Sequence, residues 1–158
     1  MHRHRRGFSL IELLIVVTII LIIAAIAIPN LMRSKMTANE AAAVETLRTL
    51  NASTVMYSMT YGGFPHNLSD LGPSGSSTPG SAGADLIDSV LASGVKSGYL
   101  FTYTVGSADP RGNVLSYTIS ASPVTPGTTG QRYFYTDQSG TIRASVAGSA
   151  DSSSTPLG

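Results

Sequence analysis

One carboxylate, Glu12, lies in an otherwise almost entirely apolar stretch that runs from Phe8 to Ile28. Arg3, Arg5 and Arg6 come shortly before this stretch, within the first seven residues. An isolated acid at the centre of a bilayer costs about 2.5–3.5 kcal/mol on insertion scales, so such a residue is rarely kept without a partner. The chemistry expected of Glu12 is therefore charge neutralisation, and we predict a partner for it.

No other group of residues has the composition of a catalytic centre. The chain contains no cysteine, which excludes disulfides, thiolate nucleophiles and cysteine metal sites. His66 is the only histidine after the first seven residues, and neither a catalytic triad nor a pair of catalytic carboxylates has candidate residues. We therefore predict a protein that is not an enzyme and uses no cofactor.

Three residues offer oxygen atoms of the kind that calcium binds: Asp109, Asn113 and Asp137. Their spacing lacks the alternation of a calcium loop, so we interpret them as turn-forming residues. When the three leading arginines are left out, the chain has seven Lys and Arg residues and nine Asp and Glu residues, and the basic residues form no stripe. Neither metal binding nor nucleic-acid binding is therefore predicted.

The apolar stretch is long enough to span a membrane. Its 21 residues match the roughly 20 that a helix needs to cross a bilayer, and the positive charge before it predicts a cytoplasmic N-terminus and an exported remainder. An alternative is a secretory signal cleaved after Ala25-Ile26-Ala27, which would release an exported domain. Its apolar region would be longer than usual, and Glu12 would have no explanation.

The stretch from Asn30 to Tyr61 contains neither glycine nor proline, and Gly62-Gly63-Phe64-Pro65 then predicts a helix end. Pro29 removes one backbone hydrogen bond, so a kink or a loosened turn is expected there within a continuous helix. Apolar side chains recur at spacings of three, four and seven, which predicts one buried stripe on this helix: Ala43, Leu47, Leu50, Tyr57 and Tyr61.

Strands follow the helix. A loop rich in Gly, Ser and Pro over 62–83 comes first, and a short helical turn is expected over 85–91. The sequences GYLFTYTV and NVLSYTISA then alternate in polarity, which predicts two strands. In the second strand, one face is expected to carry Leu115, Tyr117 and Ile119. A turn of the Asp-Pro-Arg-Gly type separates them, and a second hairpin turns at Asp137-Gln138-Ser139-Gly140. We predict an α+β fold in which a long N-terminal helix packs against a small antiparallel sheet.

The segment GFSLIELLIVVTIILIIAAIAIPNL resembles the N-terminus of type IV pilin-like precursors, the superfamily of type IV pilins and type II secretion pseudopilins. The resemblance rests on Gly7 after a basic leader, Phe8 next, Glu12 four residues later, the apolar run, and Pro29. About 55 residues are covered well. The remainder of the chain agrees only in its general helix-then-sheet plan.

The resemblance implies that a prepilin peptidase cuts after Gly7 and methylates the new amine of Phe8. This cationic amine would pair with Glu12 of its own chain or of a neighbouring subunit during assembly. Many relatives have a glycine within the apolar run, whereas this chain has Leu21 in that region, so any loosening of the helix is expected at Pro29. Many pilins also carry a C-terminal disulfide, which is impossible here.

The chain is accordingly predicted to be a type IV pilus subunit that is anchored in the inner membrane with its N-terminus in the cytoplasm before assembly. Its partners would be other subunits of the same polymer, the prepilin peptidase and the pilus or type II secretion assembly machinery. The alternatives are a periplasmic pseudopilin and, more remotely, an exported or membrane-anchored β-domain with a binding role. The expected segments are a leader (1–7), an apolar helix half (8–29), an amphipathic helix half (30–61), a globular domain (62–147) and a flexible tail (148–158).

Overall fold

A computed structural model describes residues 8–76 and 78–157 of the chain. The chain divides into two compact units, Met1–Lys35 and Met36–Gly158, which are treated separately below. A long helix followed by antiparallel strands confirms the predicted α+β class. The elements are α1 (Leu10–Tyr61), a 3-10 helix (Leu68–Leu71), α2 (Ser89–Ala92), β1 (Val95–Lys96), β2 (Tyr99–Val105), β3 (Tyr117–Pro123), β4 (Tyr133–Asp137), β5 (Arg143–Ser145) and β6 (Thr155–Pro156).

Helix α1 has 52 residues and continues through Pro29. It ends where the sequence predicts, because Gly62 adopts a φ of +82°, a left-handed conformation that glycine reaches without steric cost. The N–H of Gly62 donates to the carbonyl of Ser58 at 2.9 Å, which closes the last turn. The continuous helix and its C-terminal stop are both confirmed.

The second unit has its core between α1 and the sheet. Four members of the predicted stripe, Ala43, Leu47, Leu50 and Tyr57, are buried, and the fifth, Tyr61, is half-buried against the same core. The burial of these side chains is what holds this part of α1 to the strands. The sheet contributes Tyr99, Phe101, Tyr117, Ile119, Ala121 and Phe134.

The six strands lie side by side in chain order, and each pairs antiparallel with the next. Phe101 stands opposite Ala121, and Ala121 stands opposite Phe134, so one buried row crosses three strands. Both predicted hairpins are confirmed. In the second, Gly140 has a φ of +74° and donates to the carbonyl of Asp137 at 2.9 Å.

Leu115 differs from the prediction that it shares the buried face of Tyr117 and Ile119. It is 54% exposed, and β3 begins only at Tyr117. Val114 is buried instead, because its carbonyl accepts a hydrogen bond from the N–H of Phe64 at 2.9 Å. This isolated bridge breaks the alternation between residues 114 and 117, and therefore reverses which side chain faces the core.

The last residues also differ from the expected flexible tail. Strand β6 pairs with β5, and the N–H of Leu157 donates to the carbonyl of Ile142 at 2.8 Å. A tight turn makes the reversal possible, since Asp151 Oδ1 accepts hydrogen bonds from both the backbone nitrogen and the hydroxyl of Ser153. The Ser and Gly content indicated disorder, whereas the same residues form this turn.

Candidate site for processing and assembly

The carboxylate of Glu12 lies in the first turn of α1. Its Oε2 accepts a hydrogen bond from the backbone nitrogen of Ser9 at 3.0 Å, while the nitrogen of Leu13 donates to the carbonyl of Ser9 at 3.3 Å. The first N–H groups of a helix have no partner within the helix, and a negative charge there also complements the helix dipole. Glu12 therefore lies where a cation at the same end of the helix could pair with it.

The two residues of the predicted cleavage bond differ in what the structure describes. Gly7 lies outside the described residues. Phe8 is 81% exposed and precedes the first residue of α1. Phe8 and Glu12 are four positions apart, the spacing that places two side chains on one face of a helix. Phe8 itself lies outside α1, so the helix does not fix its position relative to the Glu12 carboxylate.

The apolar surface that follows is not covered by the described residues of the first unit. From Phe8 to Met32 the large apolar side chains are between 45% and 82% exposed. Among the described residues, α1 is the one helix that is long and apolar enough to cross a membrane, judged by length and composition. So large a surface needs lipid or other protein chains around it.

Two residues of the apolar stretch, Thr18 and Pro29, differ in how they affect the polar groups of the helix. The hydroxyl of Thr18 donates to the carbonyl of Leu14 at 2.8 Å, so it requires no outside partner. Pro29 has no N–H to donate to the carbonyl of Ala25, which therefore lacks its helical partner. The structure places Pro29 inside the helix, as predicted, at the end of the apolar stretch.

Asn51 joins the helix to the sheet in the second unit. Its Nδ2 donates to Thr136 Oγ1 at 2.9 Å, and its Oδ1 accepts from the hydroxyl of Tyr117 at 3.2 Å. Thr136 and Tyr117 are both buried. A buried polar group without a partner is destabilising, so Asn51 is important for the packing of β3 and β4 on α1. The sequence offered no signal that distinguished it from other polar residues of the helix.

Glu40 holds the β3–β4 connection. Its side chain is only 16% exposed, and Oε1 accepts hydrogen bonds from the backbone nitrogens of Gln131 and Arg132 at 2.8 and 3.2 Å. Oε2 lies 3.4 Å from Arg132 Nε, too poorly aligned to count as a hydrogen bond. The guanidinium of Arg132 stacks over the ring of Phe134 at 5.1 Å. These contacts attach a loop to the helix without a disulfide.

The carboxylates considered for calcium act in turns. Asp109 Oδ1 accepts from the nitrogens of Arg111 and Asn113, and its Oδ2 accepts from the amide of Asn113. The Asn113 side chain, and then its backbone N–H, hold the pKa of Asp109 below its usual value. Asp137 Oδ1 accepts from the nitrogen of Ser139. In the described part of the chain no three His, Asp or Glu side chains converge as a metal site would require.

Comparison with known proteins bears on the N-terminal segment. The family model described as the prokaryotic N-terminal methylation motif matches residues 2–28. These residues include Phe8, Glu12 and the apolar stretch described above. The chain carries the prokaryotic N-terminal methylation motif.

Two curated proteins are similar to the chain. The type II secretion system core protein G of Dickeya chrysanthemi is 33% identical over 72 residues, which are 46% of this chain and 47% of that protein. The type IV wide pilus major component PilA4 of Thermus thermophilus is 55% identical over 38 residues, 24% of this chain and 29% of that protein. The chain thus spans less than half the length of these relatives. No solved structure matches it significantly.

Proposed function

We propose that the chain is a structural subunit of a type IV pilus that polymerises through the N-terminal half of α1. The observation that carries this proposal is the uncovered apolar surface from Phe8 to Met32, which has one carboxylate, Glu12, at its N-terminal end. Lipid covers this surface before assembly, and the same surface of other subunits covers it afterwards. The motif over residues 2–28 supports this order of events.

Processing prepares the helix for assembly. A prepilin peptidase cleaves after Gly7 and methylates the amine of Phe8, which stays cationic. The amine then neutralises Glu12, either in the same chain or in a neighbouring one. A pair between subunits sets their axial stagger, because a subunit out of register would hold an unmatched charge in apolar surroundings. The motif over residues 2–28 supports processing by a prepilin peptidase, and polymerisation of the chain would in turn require an assembly machinery.

The remaining segments have separate roles. Residues 8–29 form the membrane and assembly part of α1, with a kink or loosened turn at Pro29, and residues 30–61 support the sheet. The precursor lies in the inner membrane with its N-terminus in the cytoplasm, since the basic residues precede the apolar stretch. After assembly the second unit is outside that membrane, on the fibre.

A pseudopilin of a type II secretion system is the second candidate. The similarity to the core protein G of such a system extends over 72 residues, which is longer than the 21-residue apolar stretch. The same α1 surface would then support a periplasmic pseudopilus. The difference between the two candidates lies in where the polymer is found.

The mass of the mature protein tests the proposal. Protein purified from native membranes or fibres should begin at Phe8 and carry a methyl group there. A chain that begins at Ile28 would identify the apolar stretch as a secretory signal, and a chain that keeps Met1–Gly7 would exclude processing. Electron microscopy of sheared cell-surface fibres, with mass spectrometry, then separates the candidates: the chain is the main component of a pilus, whereas a pseudopilin is absent from such fibres and its deletion blocks secretion.

A further inference from the structure

A cleft of about 440 Å³ opens where α1 ends and the following loop begins. It lies entirely within the second unit, and its size is in the range of small-molecule sites. The filament function proposed above assigns no role to it. Its walls are Tyr57, Tyr61, Gly63, Phe64, His66, Asn67, Asp70, Ser81, Ala82, Asn113 and Val114.

Aromatic rings form one side of the cleft. The ring centroids of Tyr57 and Tyr61 are 4.6 Å apart, with the planes inclined by 46°. The hydroxyl of Tyr57 donates to the carbonyl of Ser81 at 2.7 Å, and Phe64 packs edge-on against Tyr117 with centroids 4.8 Å apart. These rings are therefore held in place before any ligand arrives, which lowers the entropic cost of binding.

A carboxylate faces the same space. Asp70 Oδ2 accepts hydrogen bonds from the backbone nitrogens of His66 and Asn67 at 3.0 and 2.9 Å. Oδ1 takes part in none of the hydrogen bonds among the described residues, so it can accept one from a ligand. Burial raises the pKa of the Tyr57 hydroxyl, and the negative charge of Asp70 raises it further, which indicates that the field of this carboxylate reaches the aromatic side.

Asp70 gives the cleft a negative charge, and among its described lining residues only His66 is of a type that can carry a positive one. No lysine or arginine is among the described residues that line it, whereas Asp70 carries a negative charge. The faces of aromatic rings attract cations through their quadrupole, and they do so more strongly when the cation is partly desolvated. An anionic ligand would be repelled here, and a neutral apolar ligand would cover the carboxylate without replacing its hydration.

We propose that this cleft binds an organic cation, an alkylammonium or guanidinium group that stacks on the Tyr61 ring and pairs with Asp70. The group can come from a free small molecule or from a lysine or arginine side chain of a polypeptide. The recognition chemistry is the same in both cases. The proposal does not depend on filament assembly, because the cleft belongs to the second unit alone.

Titration of the full chain by NMR in dodecyl maltoside micelles tests the proposal. This detergent is chosen because it carries no ammonium group of its own. Butylammonium should shift the backbone amide signals of Tyr61, Phe64 and Asp70 in a saturable way, whereas butanol, which has the same alkyl chain without the charge, should not. Equal shifts with both probes, or no saturable shift with butylammonium, would overturn the proposal.

Substitutions identify the groups responsible. Asp70→Asn keeps an oxygen for the two backbone donors and should weaken butylammonium binding at least about fivefold, or roughly 1 kcal/mol. Tyr61→Leu should weaken it similarly, and Tyr61→Phe, which keeps the ring, should not. Glu45→Gln removes the same charge at an exposed position outside the cleft and should leave binding unchanged. An unaltered affinity in folded Asp70→Asn would refute the pairing.

A lysine-containing tripeptide distinguishes the two sources of the cation. Binding of this peptide about tenfold tighter than butylammonium would indicate a polypeptide side chain, since the backbone would add contacts at the rim. Equal affinities would indicate a free small cation. Both results support recognition of a cation at Asp70, and they differ only in its origin.

Discussion

The carboxylate of Glu12 and the backbone nitrogen of Ser9 are joined by a hydrogen bond of 3.0 Å at the start of α1. The donor is neutral, so the bond satisfies the N–H of the residue that precedes α1 but does not neutralise the charge of Glu12. A cation is therefore still required before this residue can lie in apolar surroundings at low cost. Glu12 therefore has two distinct roles, since its oxygen caps the helix and its carboxylate carries a negative charge.

Glu12→Gln tests the charge separately from the cap. Glutamine keeps an oxygen that can accept the hydrogen bond from Ser9, but it cannot neutralise an amine. We expect membrane insertion to persist, since an uncharged side chain inserts more easily than an acid. Fibre yield, measured from sheared material per unit of membrane-inserted precursor, should fall about tenfold or more, because an unmatched charge disfavours every subunit addition.

Two further variants complete this test. Glu12→Ala should insert normally and assemble as poorly as Glu12→Gln, because it also lacks the charge. Thr18→Val is a matched control, since it removes a polar group that is satisfied within the helix and changes no charge. Wild-type fibre yield in Glu12→Gln would contradict the pairing role of this residue.

Asn51→Ala should destabilise the second unit. The change leaves Thr136 Oγ1 and the hydroxyl of Tyr117 without their shared partner, and both residues are buried. We expect the free energy of unfolding to fall by about 1–3 kcal/mol, the cost of one unsatisfied group at Thr136, since the hydroxyl of Tyr117 also has a hydrogen bond with Thr54. Urea unfolding followed by tyrosine fluorescence measures the change.

Thr60→Ala is the control for Asn51→Ala. Thr60 is exposed, and its hydroxyl donates only to the carbonyl of Met56, one turn earlier in the same helix. Its loss should change the free energy of unfolding by less than about 0.5 kcal/mol. A similar small effect of Asn51→Ala would show that the hydrogen bonds of Asn51 contribute little to the packing of the helix on the sheet.

The parts of the fold that follow from local rules could be predicted from the sequence. The stripe at Leu47 and Leu50, the stop at Gly62 and the turn at Gly140 each depend on a periodicity or on a backbone conformation that one residue type favours. Contacts between distant residues could not be predicted in the same way. The bridge of Phe64 to Val114 reverses the local alternation of buried and exposed side chains, and no sequence pattern near residue 114 predicts it.

The same distinction applies to the candidate site. The spacing of Phe8 and Glu12 and the length of the apolar stretch are properties of consecutive residues, so the sequence alone indicates them. Glu40 is different, because its partners Gln131 and Arg132 are about ninety positions away. A carboxylate on the polar side of a helix is usually solvated, and only the path of the β3–β4 connection gives this one a structural role.

Gly130→Ala should strain the contact between that connection and β2. A Cβ atom at Gly130 would overlap the ring and hydroxyl of Tyr99, a buried side chain whose hydroxyl donates to the carbonyl of Arg132 at 2.9 Å. Because Tyr99 cannot move freely, we expect a loss of about 1–3 kcal/mol in the free energy of unfolding. Urea unfolding again provides the measurement.

Gly75→Ala makes the same chemical change in open space. No atom lies within 4 Å of a Cβ built at Gly75, and its φ is outside the left-handed region. This variant should be neutral or slightly more stable, since alanine restricts the unfolded chain. Equal stability of the two variants would show that the β3–β4 connection moves away from Tyr99 without cost.

Alkaline pH should unfold the second unit through its buried tyrosines. Burial, with a further contribution from the charge of Asp137, raises the pKa of Tyr117 to about 12, and burial also raises the pKa values of Tyr99 and Tyr103. Tyrosine in an unfolded chain ionises near pH 10. The folded state thus disfavours the ionised form, so this stabilisation is complete below about pH 10 and is lost as pH rises toward 12.

The ultraviolet absorbance of tyrosinate and the circular dichroism of the sheet, recorded together, test this expectation. A first group of tyrosines should ionise near pH 10 while the sheet persists, and a second should ionise only as the sheet signal disappears. Tyr117→Phe should remove one late-ionising group and make the loss of stability above pH 10 less steep, although it also removes the hydrogen bond to Asn51. The contradicting outcome is that all seven tyrosines ionise together near pH 10 while the sheet stays intact. The rings between α1 and the sheet would then have to be accessible to hydroxide. Such access is incompatible with the near-complete burial of Tyr99 and Tyr117.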